Sequence, residues 1–173
     1  SIRKILAFSS IAHLGWMTII IIYNPKLTLM NFYLYAIMTT TVFLNFNSTK
    51  TLTLSTMMIS WTKNPTMNAT LMLTLLSLAG LPPLTGFLPK WLIINDLTKQ
   101  EMTVTATIIA MLSLLGLFFY LRLAYYSTIT LPPNPTNHMK QWHTNKAPNT
   151  SIAIFTSMSM LLLPLSPMIL TII

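Results

Sequence analysis

The sequence predicts an all-α fold, a polytopic bundle of about five helices that cross a lipid bilayer, and three observations carry the prediction. Only 7% of the 173 residues are charged while 53% are hydrophobic, against about 25% charged in an ordinary soluble domain, so a water-facing shell cannot be assembled. The apolar residues fall in long runs, such as 5–23 and 108–121, and a run of about 20 residues at 1.5 Å each matches the roughly 30 Å hydrocarbon core. Polar, proline-bearing segments separate the runs.

The first span is expected over about 3–23. Asn24-Pro25 closes it, a turn pair that biases residue 24 away from helix. The second follows at once, over about 27–46. The polar stretch 47–68, rich in Thr, Ser and Lys, reads as a surface loop with a short interfacial helix from Leu52 to Trp61. The third span, about 69–97, would reach roughly 44 Å as one continuous helix. Its middle holds Gly80-Leu81-Pro82-Pro83-Leu84-Thr85-Gly86, with Pro89 behind, which predicts two half-helices broken near 80–89. The fourth span runs over about 103–128. A second polar loop, 131–149, carries Pro132, Pro133, Pro135, Pro148, His138 and His143. The fifth occupies about 150–173, with Pro164 and Pro167 expected to kink it. These spans are read as a single membrane domain, 1–173. The opening Ser1-Ile2-Arg3-Lys4 and the lack of a signal-peptide arrangement suggest a fragment of a longer polypeptide.

Five spans put Arg3, Lys4, Lys50, Lys63, Lys140 and Lys146 on one side of the membrane and Lys26 and Lys99 on the other. The positive-inside rule assigns the first side to the compartment of synthesis, cytoplasm or mitochondrial matrix. Both acids, Asp96 and Glu101, fall on the opposite side. The formal charge of +8 does not indicate nucleic acid, because the basic residues are scattered singly without an aromatic-interleaved face. Absence of cysteine excludes thiolate iron–sulfur ligation, disulfides and cysteine nucleophiles in this chain. No zinc spacing, phosphate loop or catalytic triad is present. The three Asn-X-Ser/Thr sequons, at Asn47, Asn68 and Asn149, fall on the side where glycosylation does not occur.

Lys90 stands out because it lies inside the third span, directly after the break. A charged lysine at that depth costs roughly 2.5–3.5 kcal/mol even on the gentler insertion scale, so it should face protein or water. Broken helices beside an ionisable group line ion paths in transporters; the alternative is a lysine that snorkels to the interface past Trp91. His13 sits roughly 14 Å deeper than Lys4 along the first span, with Ser9 one turn before it on the same face. It reads either as a proton relay, its unperturbed pKa being near 6.5, or as a neutral histidine bonded to a neighbouring helix. Asn31, Tyr35 and Thr39 form a polar stripe on the second span that reads first as glue between helices and second as the lining of a wet path. Arg122, among Tyr120, Tyr125 and Tyr126, reads as a snorkelling residue.

Two long stretches then point to a family. Arg3-Lys4-Ile5-Leu6-Ala7-Phe8-Ser9-Ser10-Ile11-Ala12-His13-Leu14-Gly15-Trp16 and Leu78-Ala79-Gly80-Leu81-Pro82-Pro83-Leu84-Thr85-Gly86-Phe87-Leu88-Pro89-Lys90-Trp91 closely resemble the mitochondrially encoded chain 2 family of NADH:ubiquinone oxidoreductase, respiratory complex I. Tyr23-Asn24-Pro25 and Phe119-Tyr120-Leu121-Arg122-Leu123 fit too, and the resemblance covers essentially the whole chain as the C-terminal half of that subunit. It implies an antiporter-like fold of two inverted five-helix repeats, each with a broken helix, around a central chain of buried lysines and a glutamate. By motif match Lys90 resembles the proton-transferring lysine of the second repeat's broken helix, and His13 a member of the polar axis.

The resemblance further implies a multi-pass subunit of the mitochondrial inner membrane that translocates protons, driven by electron transfer from NADH to ubiquinone elsewhere in the complex. It implies no cofactor in this chain, with NADH, FMN, iron–sulfur clusters and ubiquinone in other subunits. The partners implied are other membrane-arm subunits, including the N-terminal half of the same subunit. A cation/proton antiporter subunit and a structural membrane scaffold remain as alternatives.

Overall fold

A computed structural model of the chain describes residues 2–51, 53–63, 65–129, 150–162 and 164. The second polar loop, with its prolines, His138, His143, Lys140 and Lys146, lies outside the described residues, as do Pro167 and the end of the fifth span.

Every described element is a helix: α1 Ile2–Ile20, α2 Pro25–Thr49, α3 Leu54–Lys63, α4 Pro65–Ala79, α5 Phe87–Lys99, α6 Thr103–Ile129 and α7 Thr150–Leu161. Two of them, α2 and α6, are long and apolar enough on their own to cross a bilayer. α4 and α5, of 15 and 13 residues, each reach about two-thirds of the way. They are the halves of the interrupted span.

Local chemistry explains the boundaries. Asn24 caps α2, its side chain accepting from the Leu27 amide at 3.3 Å, and Pro25 occupies the first turn where a missing N–H leaves nothing unpaired. The third span is interrupted over 80–86, shorter than the expected 80–89. Pro89 belongs to the first turn of α5, where its absent N–H would have had no helical partner. In the stretch 47–68 the short helix expected from Leu52 to Trp61 is α3, Leu54–Lys63, and the segments on either side, read as loop, are largely helical too: α2 continues to Thr49 and α4 starts at Pro65. Its hydroxyls bond back to their own helices, as Thr49 and Ser48 do to the Asn45 carbonyl at 2.9 and 2.8 Å, so polar composition did not prevent helix. Lys50 ends α2 in the left-handed region, at φ 52°.

The helices pack around two apolar cores. One joins Ile2 and Leu6 of α1, Met38 and Val42 of α2, Met57 of α3, Leu71, Leu75 and Leu78 of α4, and Tyr120 and Leu123 of α6. The other joins Ile20, Leu27, Met30 and Leu34 to Leu88, Leu92, Ile93 and Leu97 of α5 and to Ala106 and Ile109 of α6. Thus α4 serves one core and α5 the other. His13 of α1 and Ser113 of α6 fall between the two cores, Tyr35 of α2 packs on the edge of the first, and the break separates α4 in the first core from α5 in the second. Outward faces carry large apolar side chains, among them Phe8, Ile11, Leu112, Leu115 and Phe118, as a lipid-facing or subunit-facing surface requires.

Candidate functional site

The break is built by glycines with distinct tasks. Gly80 terminates α4 at φ 85°, donating its amide to the Ser77 carbonyl at 3.0 Å; this left-handed step is open to glycine and strained for other residues. A Cβ at Gly86 would lie 1.7 Å from the Ser77 carbonyl oxygen, so the end of the loop crosses the last turn of α4 backbone against backbone. Between them Pro82 and Pro83 supply no amide donors. Thr85, buried in the loop, donates its hydroxyl to the Ser159 carbonyl of α7.

Lys90 occupies the first turn of α5, and its Nζ donates to the Ala79 carbonyl at 2.8 Å. The ammonium therefore reaches back across the break to the C-terminal end of α4, where the helix dipole favours a cation by about 0.3–1 kcal/mol, and up to about 2 kcal/mol when partly buried. Its own helix presents the positive end of its dipole to the same group. This opposition leaves only part of the cost of placing a charge in hydrocarbon offset. A Cβ on Gly80 would lie 2.9 Å from Lys90 Nζ; the space that glycine leaves is filled by the amine.

The side chains predicted from sequence converge here in part. His13, 7% exposed, and Lys90 line one groove of about 290 Å³ between α1, α5 and α6, together with Gly15, Trp16, Ser113 and Gly116. The imidazole stacks on Tyr35 of α2, centroids 4.6 Å apart. The Tyr35 hydroxyl lies beside Ser9 and Ser10, and the Tyr120 hydroxyl of α6 lies beside Ser9. Ser9, His13, Tyr35 and Tyr120 thus join α1, α2 and α6. Of the stripe on α2, Tyr35 reaches α1, Asn31 is buried, and Thr39 bonds within its own helix to Tyr35 and Ala36. Arg122 stands apart: its guanidinium meets Tyr126 of the same helix, with a 3.2 Å hydrogen bond and a ring contact at 5.4 Å, in keeping with an outward-facing anchor.

Three contacts had no signal in the sequence. The Ala79 carbonyl is ordinary backbone until α4 ends there. Tyr120 was read among the aromatic anchors near Arg122, yet it is buried. Asn24, foreseen as a turn residue, also donates to the Asp96 carboxylate of α5 at 3.1 Å, tying the α1–α2 turn to the far end of α5.

Comparison with known proteins supplies the lineage. The family described as NADH:quinone oxidoreductase/Mrp antiporter, transmembrane, matches residues 1–116, and the one described as NADH dehydrogenase subunit 2 C-terminus matches residues 117–170. Curated relatives named NADH-ubiquinone oxidoreductase chain 2 are 77% identical in Struthio camelus, over 97% of this chain and 49% of the relative. In Coturnix japonica the figure is 71%, over 99% and 49%, and in Gallus gallus 72%, over 98% and 49%. The chain spans about half the length of these relatives. Helices, break and buried polar level fit that match, and the chain belongs to the NADH:quinone oxidoreductase/Mrp antiporter transmembrane family, with the C-terminal region of NADH dehydrogenase subunit 2.

Proposed function

We propose that this chain is part of a proton-translocating membrane subunit of respiratory NADH:ubiquinone oxidoreductase, with Lys90 as its proton-transferring group and His13 as a relay. One observation carries the reading: the Lys90 ammonium bridges the two half-helices to the Ala79 carbonyl and borders the groove that holds His13. A charge held between opposed helix ends is poised to lose and regain its proton as its surroundings change. The redox groups, NADH, FMN, iron–sulfur clusters and ubiquinone, are assigned to other subunits, and electron transfer there drives the changes. Membrane-arm subunits and the other half of the full-length protein are the partners. The location is the mitochondrial inner membrane, which the chain crosses several times, with Arg3, Lys4, Lys50 and Lys63 on the matrix side.

The test uses the intact complex. Lys90→Met keeps the apolar stem and removes the amine, so assembly is expected to survive while proton translocation coupled to NADH oxidation falls. Lys90→Arg is expected not to restore it, because a guanidinium stays protonated over the working pH range. Lys50→Met is the control without effect. A Lys90→Met complex that assembles and translocates at the wild-type rate makes Lys90 a structural residue and favours the scaffold reading; ion exchange without NADH oxidation favours an antiporter.

A further inference from the structure

Arg122 is the single charged residue of α6, and it stands in a furrow of about 380 Å³ lined with Phe118, Leu121, Tyr125, Tyr126 and Ile129. All six lie on one stripe of the helix, at the spacing that puts side chains on a common face. None belongs to either core, and Phe118, Tyr125 and Ile129 are 65%, 61% and 74% exposed. The guanidinium donates to the Tyr126 hydroxyl at 3.2 Å, one turn nearer the end of α6, which aims it toward the membrane surface and away from the hydrocarbon middle. That bond engages one N–H; among the described residues the rest of the fork is open.

No acidic side chain of this chain reaches it. The sequence holds two, Asp96 and Glu101; Asp96 lies in α5 and accepts from Asn24, and Glu101 precedes the start of α6. Arg122 stands about 28 Å further along α6, at 1.5 Å per residue. An arginine set into an apolar helix face in a bilayer needs a counter-charge, and this one comes from outside the 173 residues.

We infer that the furrow seats one anionic phospholipid, its phosphate on the Arg122 guanidinium and an acyl chain laid along Leu121 and Phe118 toward the membrane middle. A guanidinium offers a planar fork that matches two phosphate oxygens at once. Tyr125 and Tyr126 bring amphipathic rings to the headgroup level, while the deeper end of the stripe offers only carbon. A helix of another subunit carrying an acid fits less well, because helices that pack closely in a bilayer meet through small residues. This stripe has none. Its large side chains would hold a second backbone off, whereas a flexible hydrocarbon chain fills the space between them. The assignment does not depend on proton transfer by Lys90.

The test uses the intact complex in lipid nanodiscs, with a phosphatidylglycerol that carries a photoreactive group on its acyl chain and the matching phosphatidylcholine. Cross-linking to the segment 118–129 is expected to favour the phosphatidylglycerol probe. In Arg122→Gln it is expected to fall about tenfold per assembled complex, the scale of a lost charge-assisted contact, and Arg122→Lys, which keeps the charge without the fork, is expected to retain part of it. Equal labelling of the wild type by the two probes makes the furrow ordinary lipid-facing surface and overturns the site, a comparison that needs no variant to fold. Unchanged labelling in Arg122→Gln overturns it too. Suppression of labelling by inorganic phosphate points to a free-anion site, and a density map with a protein segment in the furrow points to a subunit contact; either result overturns the lipid assignment.

Discussion

The imidazole of His13 stacks on the phenol ring of Tyr35 with the planes tilted by 31°, so a histidine of α1 is oriented by an aromatic residue of α2. Tyr35→Leu removes the stack and is expected to destabilise the helix pair by about 0.5–1.5 kcal/mol beyond lost area. Tyr35→Phe retains the ring and loses only the hydroxyl beside Ser9 and Ser10. Thermal unfolding of the full-length protein in its complex should rank wild type, Phe and Leu in that order; a Leu variant as stable as Phe would show that the stack contributes nothing.

Gly80→Ala and Gly86→Ala are expected to fail differently. At Gly80 the new Cβ meets the mobile tip of Lys90, and the left-handed backbone adds about 1 kcal/mol. The complex should assemble with a displaced lysine, so proton translocation falls further than thermal stability. At Gly86 the Cβ meets the Ser77 backbone, which cannot yield without moving α4, and loss of assembled complex is expected. Comparing assembled amounts with rates per assembled complex checks both.

Asn24 has two tasks, and a double-mutant cycle separates them. Asn24→Ala should cost about 1–2 kcal/mol through the cap and the bond to Asp96 together. Asp96→Ala loses only the second, and the coupling between the two changes is expected near 1 kcal/mol. Zero coupling in unfolding measurements would mean that the Asn24–Asp96 bond contributes nothing to stability.

The groove beside Lys90 has room at Gly116, where an added Cβ meets nothing within 4 Å. Gly116→Ala is therefore expected to stabilise α6 by about 0.5–1 kcal/mol, the usual gain inside a helix. If assembly of the complex fails instead, a neighbouring surface seats closely against that glycine.

Much of this arrangement was legible in the residues. Asn24-Pro25 marks the start of α2, Pro82 and Pro83 mark the break, and the stretches 3–16 and 78–91 carried a family resemblance that the comparisons bear out. Pro89 misled because a proline near a break reads as part of it, although the third residue of a helix needs no amide partner. In the run 47–68 the short helix was legible, and its helical flanks were not, because threonines and serines look solvated until their hydroxyls are seen to bond their own helix. The bond from Lys90 to the Ala79 carbonyl was illegible, since a sequence shows which groups need partners and not which carbonyls a helix end leaves open.

Those inward-turned hydroxyls also have a mechanical consequence. Thr41, Thr74 and Thr156 bond carbonyls within their own helices, so they satisfy themselves without riveting rods together. Two polar rivets between separate segments flank the interruption, Lys90 to Ala79 and Thr85 to Ser159, and apolar side chains make up the two cores on either side of it. Under load such a bundle slides along its apolar faces and resists at its polar ties, so a displacement of α5 is delivered to α4 and α7 at the loop 80–86 and to the α1–α2 turn through Asn24 and Asp96.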